Sequence, residues 1–367
     1  MIKYLKERIN SLRGISTLGF THVFIETLGA CTNRCYMCPN AKVKPHNGIM
    51  DDNTFEFIIA KLKESKFKGE LHLYAQNEPF LDKKIIQKIY YASKELPECK
   101  IIMISNFTFM NEKLMDKILE APVHNLSCSI YALDRENYKK ICGRDNFEKT
   151  FINQVKFLKK YALKIPYSYA NYIIDTPYVQ NDLEFIKHYI FDIAPLMYVQ
   201  AGKVLSFFNN NINELQSSKK FFSNCIYSRL KFTPNGDMAS CPLDCGNSLK
   251  VANVFDDEPL KKLYNSNIAK DLRKRMIYSN SLSAYCQYCH FRRSQALLSY
   301  FLPFLHKVKE NDLFNHKQRF QRNSIDNIKS KLVKFNEIFK DDEEDKWLEA
   351  LENLRKEFYF HREAVKI

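Results

Sequence analysis

Six β-rich segments, each separated from the next by a helix-like one, run through the first 201 residues of this 367-residue chain. The strand-like segments are residues 22–28, 70–74, 100–105, 125–131, 165–173 and 196–201. Helical spacing falls at 52–66, 82–96, 111–119, 134–142, 147–161 and 181–190. In the first of these, Phe55, Ile58, Ile59 and Leu62 stand at i, i+3, i+4 and i+7 and form one apolar face. Acidic residues crowd its start and Gly69 follows its end, as helix termini prefer. In the second, Ile85, Ile86 and Ile89 are expected to turn inward. Strands separated by helices predict an α/β fold with a parallel sheet and right-handed crossovers. Closed partway, it is a partial (β/α)6 TIM-like barrel, whose active residues belong at the carboxyl ends of the strands.

Composition bounds the rest. Apolar residues make up 45% of the chain, and 28 Phe and 21 Tyr stand against 9 Gly, so a sizeable core is expected and disorder is not. The formal charge of +14 favours anionic partners, although no compact Lys/Arg run argues for nucleic acid. Residues 1–13 are too charged for an apolar signal core, and no stretch is long and apolar enough to span a membrane. The expected compartment is the cytoplasm, where eleven cysteines suit metal ligation, reactive thiols or packing better than disulfides.

The chemistry concentrates in Gly29-Ala30-Cys31-Thr32-Asn33-Arg34-Cys35-Tyr36-Met37-Cys38-Pro39-Asn40. Cys31, Cys35 and Cys38 are spaced C-x3-C-x2-C directly after the first strand. Three thiolates on one loop can hold three corners of a cubane and leave one iron open, where most such clusters use four cysteines. A zinc site is the alternative, but structural zinc takes four protein ligands, and His46 is the nearest candidate for a fourth.

On this loop the chain resembles the radical S-adenosylmethionine superfamily, with Tyr36 filling the aromatic position of its signature. The resemblance implies a [4Fe–4S] cluster on Cys31, Cys35 and Cys38, with S-adenosylmethionine (AdoMet) bound to the fourth iron. It implies reductive cleavage of AdoMet to a 5′-deoxyadenosyl radical that abstracts hydrogen from a substrate. The Gly-Gly-Glu of the family is replaced by Gln76-Asn77-Glu78, in which Glu78 remains able to accept from the AdoMet ammonium. Ser105, Asn106 and Ser129 end the third and fourth strands, where the family places polar residues against the cofactor. Arg144 is a candidate for its carboxylate.

A second cysteine set lies at Cys225, Cys241, Cys245, Cys286 and Cys289, with a turn signal at Pro234-Asn235-Gly236-Asp237. By spacing alone it suits zinc as well as iron. The run C-x10-G-x4-C, then Asp244, Asn253-Val254, Leu263-Tyr264-Asn265 and a final CxxC, resembles the SPASM and twitch auxiliary-cluster domains. The twitch form implies one further [4Fe–4S] cluster on Cys225, Cys241, Cys286 and Cys289. Cys245 is left over, either a thiol hydrogen donor to a substrate radical, a replacement ligand or a core residue. Cys99, Cys128 and Cys142 read as packing.

The expected organisation is a barrel over 1–208, a small cluster domain over 209–293 and a helical extension over 294–367. In that extension Ile325, Ile328, Leu332, Phe335 and Phe339 form one stripe, and Trp347, Leu348, Leu351, Leu354 and Phe358 another. Two functional readings follow from the resemblance. One is two-electron oxidation or epimerisation of a sugar- or aminocyclitol-like molecule assisted by the auxiliary cluster. The other is modification of a peptide by crosslinking, thioether formation or epimerisation, although only about twenty residues precede the first strand, fewer than a leader-binding module needs. The implied electron donor is a flavodoxin or ferredoxin, and a basic surface suits an acidic one. A zinc-binding interaction protein is the reading of another class.

Overall fold

The structure is a computed structural model that describes residues 10, 13–16, 19–36, 38–41, 48–164, 168–173, 182–196, 198–202, 225–242, 244, 247, 249–278 and 319–364. In chain order the elements are β1 (His22–Ile25), α1 (Asp52–Glu64), β2 (Glu70–His72), α2 (Ile85–Glu95), β3 (Lys100–Ser105), α3 (Glu112–Glu120), β4 (Asn125–Ile130), α4 (Arg135–Cys142) and α5 (Phe147–Tyr161). They continue with β5 (Ser168–Ile173), α6 (Leu183–His188), β6 (Tyr198–Gly202), α7 (Cys225–Ser228), β7 (Arg229–Phe232), β8 (Asp237–Ala239) and β9 (Lys250–Asn253). The last are α8 (Leu260–Tyr264), α9 (Asn267–Tyr278), β10 (Arg319–Arg322), α10 (Ile325–Ile338) and α11 (Trp347–Ala364). The expected α/β alternation is therefore present, and the pairs β1–β2, β2–β3, β4–β5 and β5–β6 are parallel.

The chain forms two compact units, and the division falls inside β3, between Met103 and Ile104. In the first unit the strand order is β3-β2-β1-β7-β8-β9. β2 and β7 flank β1 in parallel, and β8 and β9 add antiparallel hairpin strands. Val23, Ile25, Ile58, Ile59, Leu62, Leu71 and Ile89 are wholly buried here. Each such aliphatic side chain stabilises the fold by about 1.5–3 kcal/mol relative to exposure. Asp51 caps α1 by accepting from the Thr54 amide at 2.6 Å. The exit of α1 departs from expectation, since Lys66, not Gly69, takes the left-handed backbone at φ 55°. Gly69 serves close approach instead: a Cβ there would stand 2.1 Å from the Thr21 carbonyl oxygen, the acceptor of the Glu70 amide.

In the second unit the order is β4-β5-β6-β10, with β10 antiparallel to β6. β4 is buried on both faces, from Leu126 to Ile130, as parallel strands under helices are. Side-chain caps at Asn111, Asp134 and Ser324 start α3, α4 and α10. The tail stripes pack on this unit. Ile328, Phe335 and Phe339 are wholly buried, Phe339 meets Phe151 edge-on, and Arg355 pairs with Asp182 at 2.9 Å. Ile325 is instead exposed. β10 corrects the expectation of unbroken helix beyond Ser294. Its four residues are too short to show a period, and the second edge of β6 supplies the pairing.

Candidate active site

The thiol loop leaves the carboxyl end of β1, where a β/α fold places its chemistry. In the second unit, residues 32–36 are gripped by the end of α4. The Arg34 amide donates to the Cys142 carbonyl at 2.8 Å and the Tyr36 amide to the Ile141 carbonyl at 3.0 Å. Gly143 caps α4 at φ 63°, and a Cβ on it would fall 2.6 Å from the Arg34 carbonyl oxygen. Asn33 Nδ2 donates to Tyr138 Oη at 3.2 Å, and that hydroxyl lies 3.1 Å from Thr150 Oγ1. Cys35 is buried, and a hydrogen bond with the Cys142 thiol, aided by burial, raises its pKa. Cys142 is thus a packing residue that also touches the loop, which spacing alone does not signal.

Ser105 and Asn106 sit beside this grip. Ser105 Oγ accepts from the Phe107 amide at 2.9 Å, and Asn106 Oδ1 accepts from the Thr108 amide at 3.0 Å. Asn106 Nδ2 donates to Thr32 Oγ1 at 2.8 Å, so it braces the loop itself. The turn they build carries Phe107 at φ 63°. Ser129 is buried at the end of β4, and Arg144 is exposed just past α4.

In the first unit, Cys31 and Cys38 are half-buried. The Glu78 amide donates to the Ala30 carbonyl at 2.9 Å, and Asn40 Nδ2 donates to the Gln76 carbonyl, so Gln76-Asn77-Glu78 lies along the base of the loop. Glu78 is buried and also caps the turn Pro79–Leu81 through the Phe80 amide. Asn77 Oδ1 accepts from the Ala75 amide at 2.8 Å, which leaves its buried Nδ2 without a partner among the described residues.

Gln76 has a partner the sequence did not announce. Lys231, on β7 and wholly buried, pairs with Glu26 at 2.9 Å and donates to Gln76 Oε1 at 2.9 Å and to the Asp244 carbonyl at 3.0 Å. Gln76 Nε2 donates to the Pro242 carbonyl. Gln76 thus ties the strand-end segment to the stretch following Cys241, which is half-buried. Asp244 Oδ2 in turn accepts from the Leu249 amide at 2.7 Å. Gly236 turns at φ 79°, and Asp237 accepts from Asn247 and Asn253. Tyr264 and Asn265 hold the buried Arg273, whose guanidinium also stacks over the Tyr264 ring. Of Cys225 only the backbone is described, opening α7, and Cys245, Cys286 and Cys289 lie outside the described residues.

Residues 25–190 match the Radical SAM superfamily. That stretch, rather under half of the chain, contains the C-x3-C-x2-C loop. A curated relative, an uncharacterized protein of Methanocaldococcus jannaschii, is 32% identical over 108 residues, which is 28% of this chain and 24% of that protein. The match thus spans about a quarter of the relative's length. Among solved structures, native anSMEcpe with bound AdoMet aligns with a TM-score of 0.56 at 14% identity, covering 81% of this chain and 100% of that one. Streptococcus suis SuiB bound to the precursor peptide SuiA aligns at 0.52 and 14% identity, covering 79% and 73%. At such identities the likeness is one of fold, and that fold is the α/β one expected.

Proposed function

We propose that the chain is a radical SAM enzyme that oxidises or epimerises a sugar- or aminocyclitol-like small molecule, with a second cluster assisting. The observation that carries the radical chemistry is the three-thiol loop at the carboxyl end of β1, within the stretch that matches the Radical SAM superfamily. The donor set fits the group: three soft thiols leave one iron free, and the unpartnered Asn77 Nδ2 offers a buried donor to an anionic ligand group. Cys31, Cys35 and Cys38 would hold the [4Fe–4S] cluster. When bound, the cluster supplies the electron that splits AdoMet into methionine and a 5′-deoxyadenosyl radical.

The chain's own residues position and shield. Glu78 would accept from the AdoMet ammonium, and Asn77 Nδ2 would donate to its carboxylate. Asn106 and the α4 end keep residues 32–36 in place, so a ligand meets a preformed loop. The spacing of Cys225, Cys241, Cys286 and Cys289 supports an auxiliary [4Fe–4S] cluster that these four would hold, and the Lys231–Gln76 network fixes the segment after Cys241. That cluster would take the second electron of an oxidation. The electron donor is a flavodoxin or ferredoxin.

The test is anaerobic. Reconstituted protein with AdoMet and a strong reductant is expected to form 5′-deoxyadenosine and methionine, and Cys31→Ala to form neither. Candidate sugars, aminocyclitols and peptides are then compared by the rise in rate. No 5′-deoxyadenosine under any of them, with the first cluster intact, sinks the reading. A colourless protein that binds zinc alone would favour the interaction-protein alternative. If epimerisation is found, Cys245→Ala is expected to convert epimerisation to oxidation or abortive turnover; full epimerisation would remove Cys245 as hydrogen donor.

A further inference from the structure

We propose that His22, Glu70 and His72 form a three-ligand site for a divalent transition ion of the zinc class, on one face of the paired strands β1 and β2. Neither of the cysteine sets takes part, so the site is separate from the proposed radical chemistry. In the parallel pairing of the two strands His22 stands opposite Glu70, and His72 follows two residues on, on the same face of β2. His22 Nε2 lies 3.5 Å and His72 Nε2 3.2 Å from Glu70 Oε2, and one ligand atom from each residue falls within 4.8 Å of the others. A tetrahedral ion with bonds of about 2.0–2.1 Å needs its ligand atoms roughly 3.4 Å apart. Two of the three separations are close to that value, and the third lies within 4.8 Å.

The rings are held ready. His72 is 6% exposed, stacked on Phe24 at 4.2 Å, and its Nδ1 meets Tyr74 Oη at 3.0 Å. His22 Nδ1 meets Thr21 Oγ1 at 2.8 Å. With both Nδ1 atoms occupied by hydroxyls, both Nε2 atoms turn to one carboxylate oxygen, the arrangement in which outer partners fix the ligating nitrogen. Glu70 Oε2 is the shared partner of both Nε2 atoms, so the three ligand atoms already converge on one point.

Arg229 on β7 stands in register with His22 and Lys100 on β3 with Glu70. Selectivity comes from the donor set: two imidazole nitrogens and a single carboxylate are a poor shell for calcium or magnesium, which want oxygen-rich ligands. Imidazole-seeking ions remain, with solvent completing a fourth position from the half-exposed side of His22 and Glu70.

Zinc alone is the probe. Cluster-loaded full chain is dialysed against zinc, bound metal is counted, and zinc-edge X-ray absorption identifies the ligands. One zinc per chain is expected, with nitrogen and oxygen scatterers at about 2.0–2.1 Å. His22→Ala, Glu70→Gln and His72→Ala should each weaken binding at least about tenfold with iron content unchanged. The half-exposed His22 and Glu70 keep the test sound if His72→Ala fails to fold. No zinc beyond the level of these variants overturns the proposal. So does zinc with sulfur scatterers at about 2.3 Å, which places it on the cysteines.

Discussion

Replacing Lys231 with Met is expected to lower the stability of the first unit by about 3–5 kcal/mol. The ammonium is wholly buried and is the charge partner of Glu26, itself almost fully buried. Methionine fills the space but leaves the carboxylate without compensation, and the Asp244 carbonyl and Gln76 Oε1 without their donor. Amide exchange in β1 and β7 reads the effect directly, and protection there should fall by about two to four orders of magnitude. Lys231→Met with Glu26→Gln is expected to recover most of the loss, because removing both charges removes the desolvation penalty with the attraction. Unchanged protection in the single variant would mean that the pair is already solvated. A loss that the double variant does not repair would point to packing instead of charge.

Gly143→Ala should reduce the iron bound at the first cluster roughly tenfold or more, with the fold retained. The left-handed backbone alone costs a residue with a side chain about 1–2 kcal/mol. The heavier effect is contact, since the new methyl would lie 2.6 Å from the Arg34 carbonyl and push residues 32–36 off the end of α4. Cys35 moves with that segment. Gly143→Asn separates the two causes. Asparagine tolerates left-handed backbone but still carries a Cβ. Equal loss of iron in both variants assigns the effect to contact with Arg34; recovery in the asparagine variant assigns it to backbone strain. Iron content and the cluster's electron paramagnetic resonance signal measure it without reference to turnover.

Much of this architecture follows from local sequence. β3 and α5 lie where period and composition place them, residue for residue, and α3 and α4 begin one residue past their predicted starts because Asn111 and Asp134 are caps. Such elements are decided by neighbours in the chain: apolar spacing, a side chain that bonds the first free amides, a glycine that ends the helix. The thiol loop is local in the same sense, three ligands within eight residues.

What the tertiary structure alone decided involves residues far apart in the chain. β10 exists because β6 offers an edge. Gln76 reads as a lost glycine until β7 brings Lys231 beneath it, 155 residues later. Gly69 reads as a helix stop, yet answers to the backbone of Thr21. His22, Glu70 and His72 show no motif spacing, and become a cluster only through the parallel register of β1 and β2. Pairing between strands is set by long-range burial and ladder bonds, which no local window contains. The sequence by itself determined which chemistry the chain can carry; the register of its strands decided which side chains stand around it.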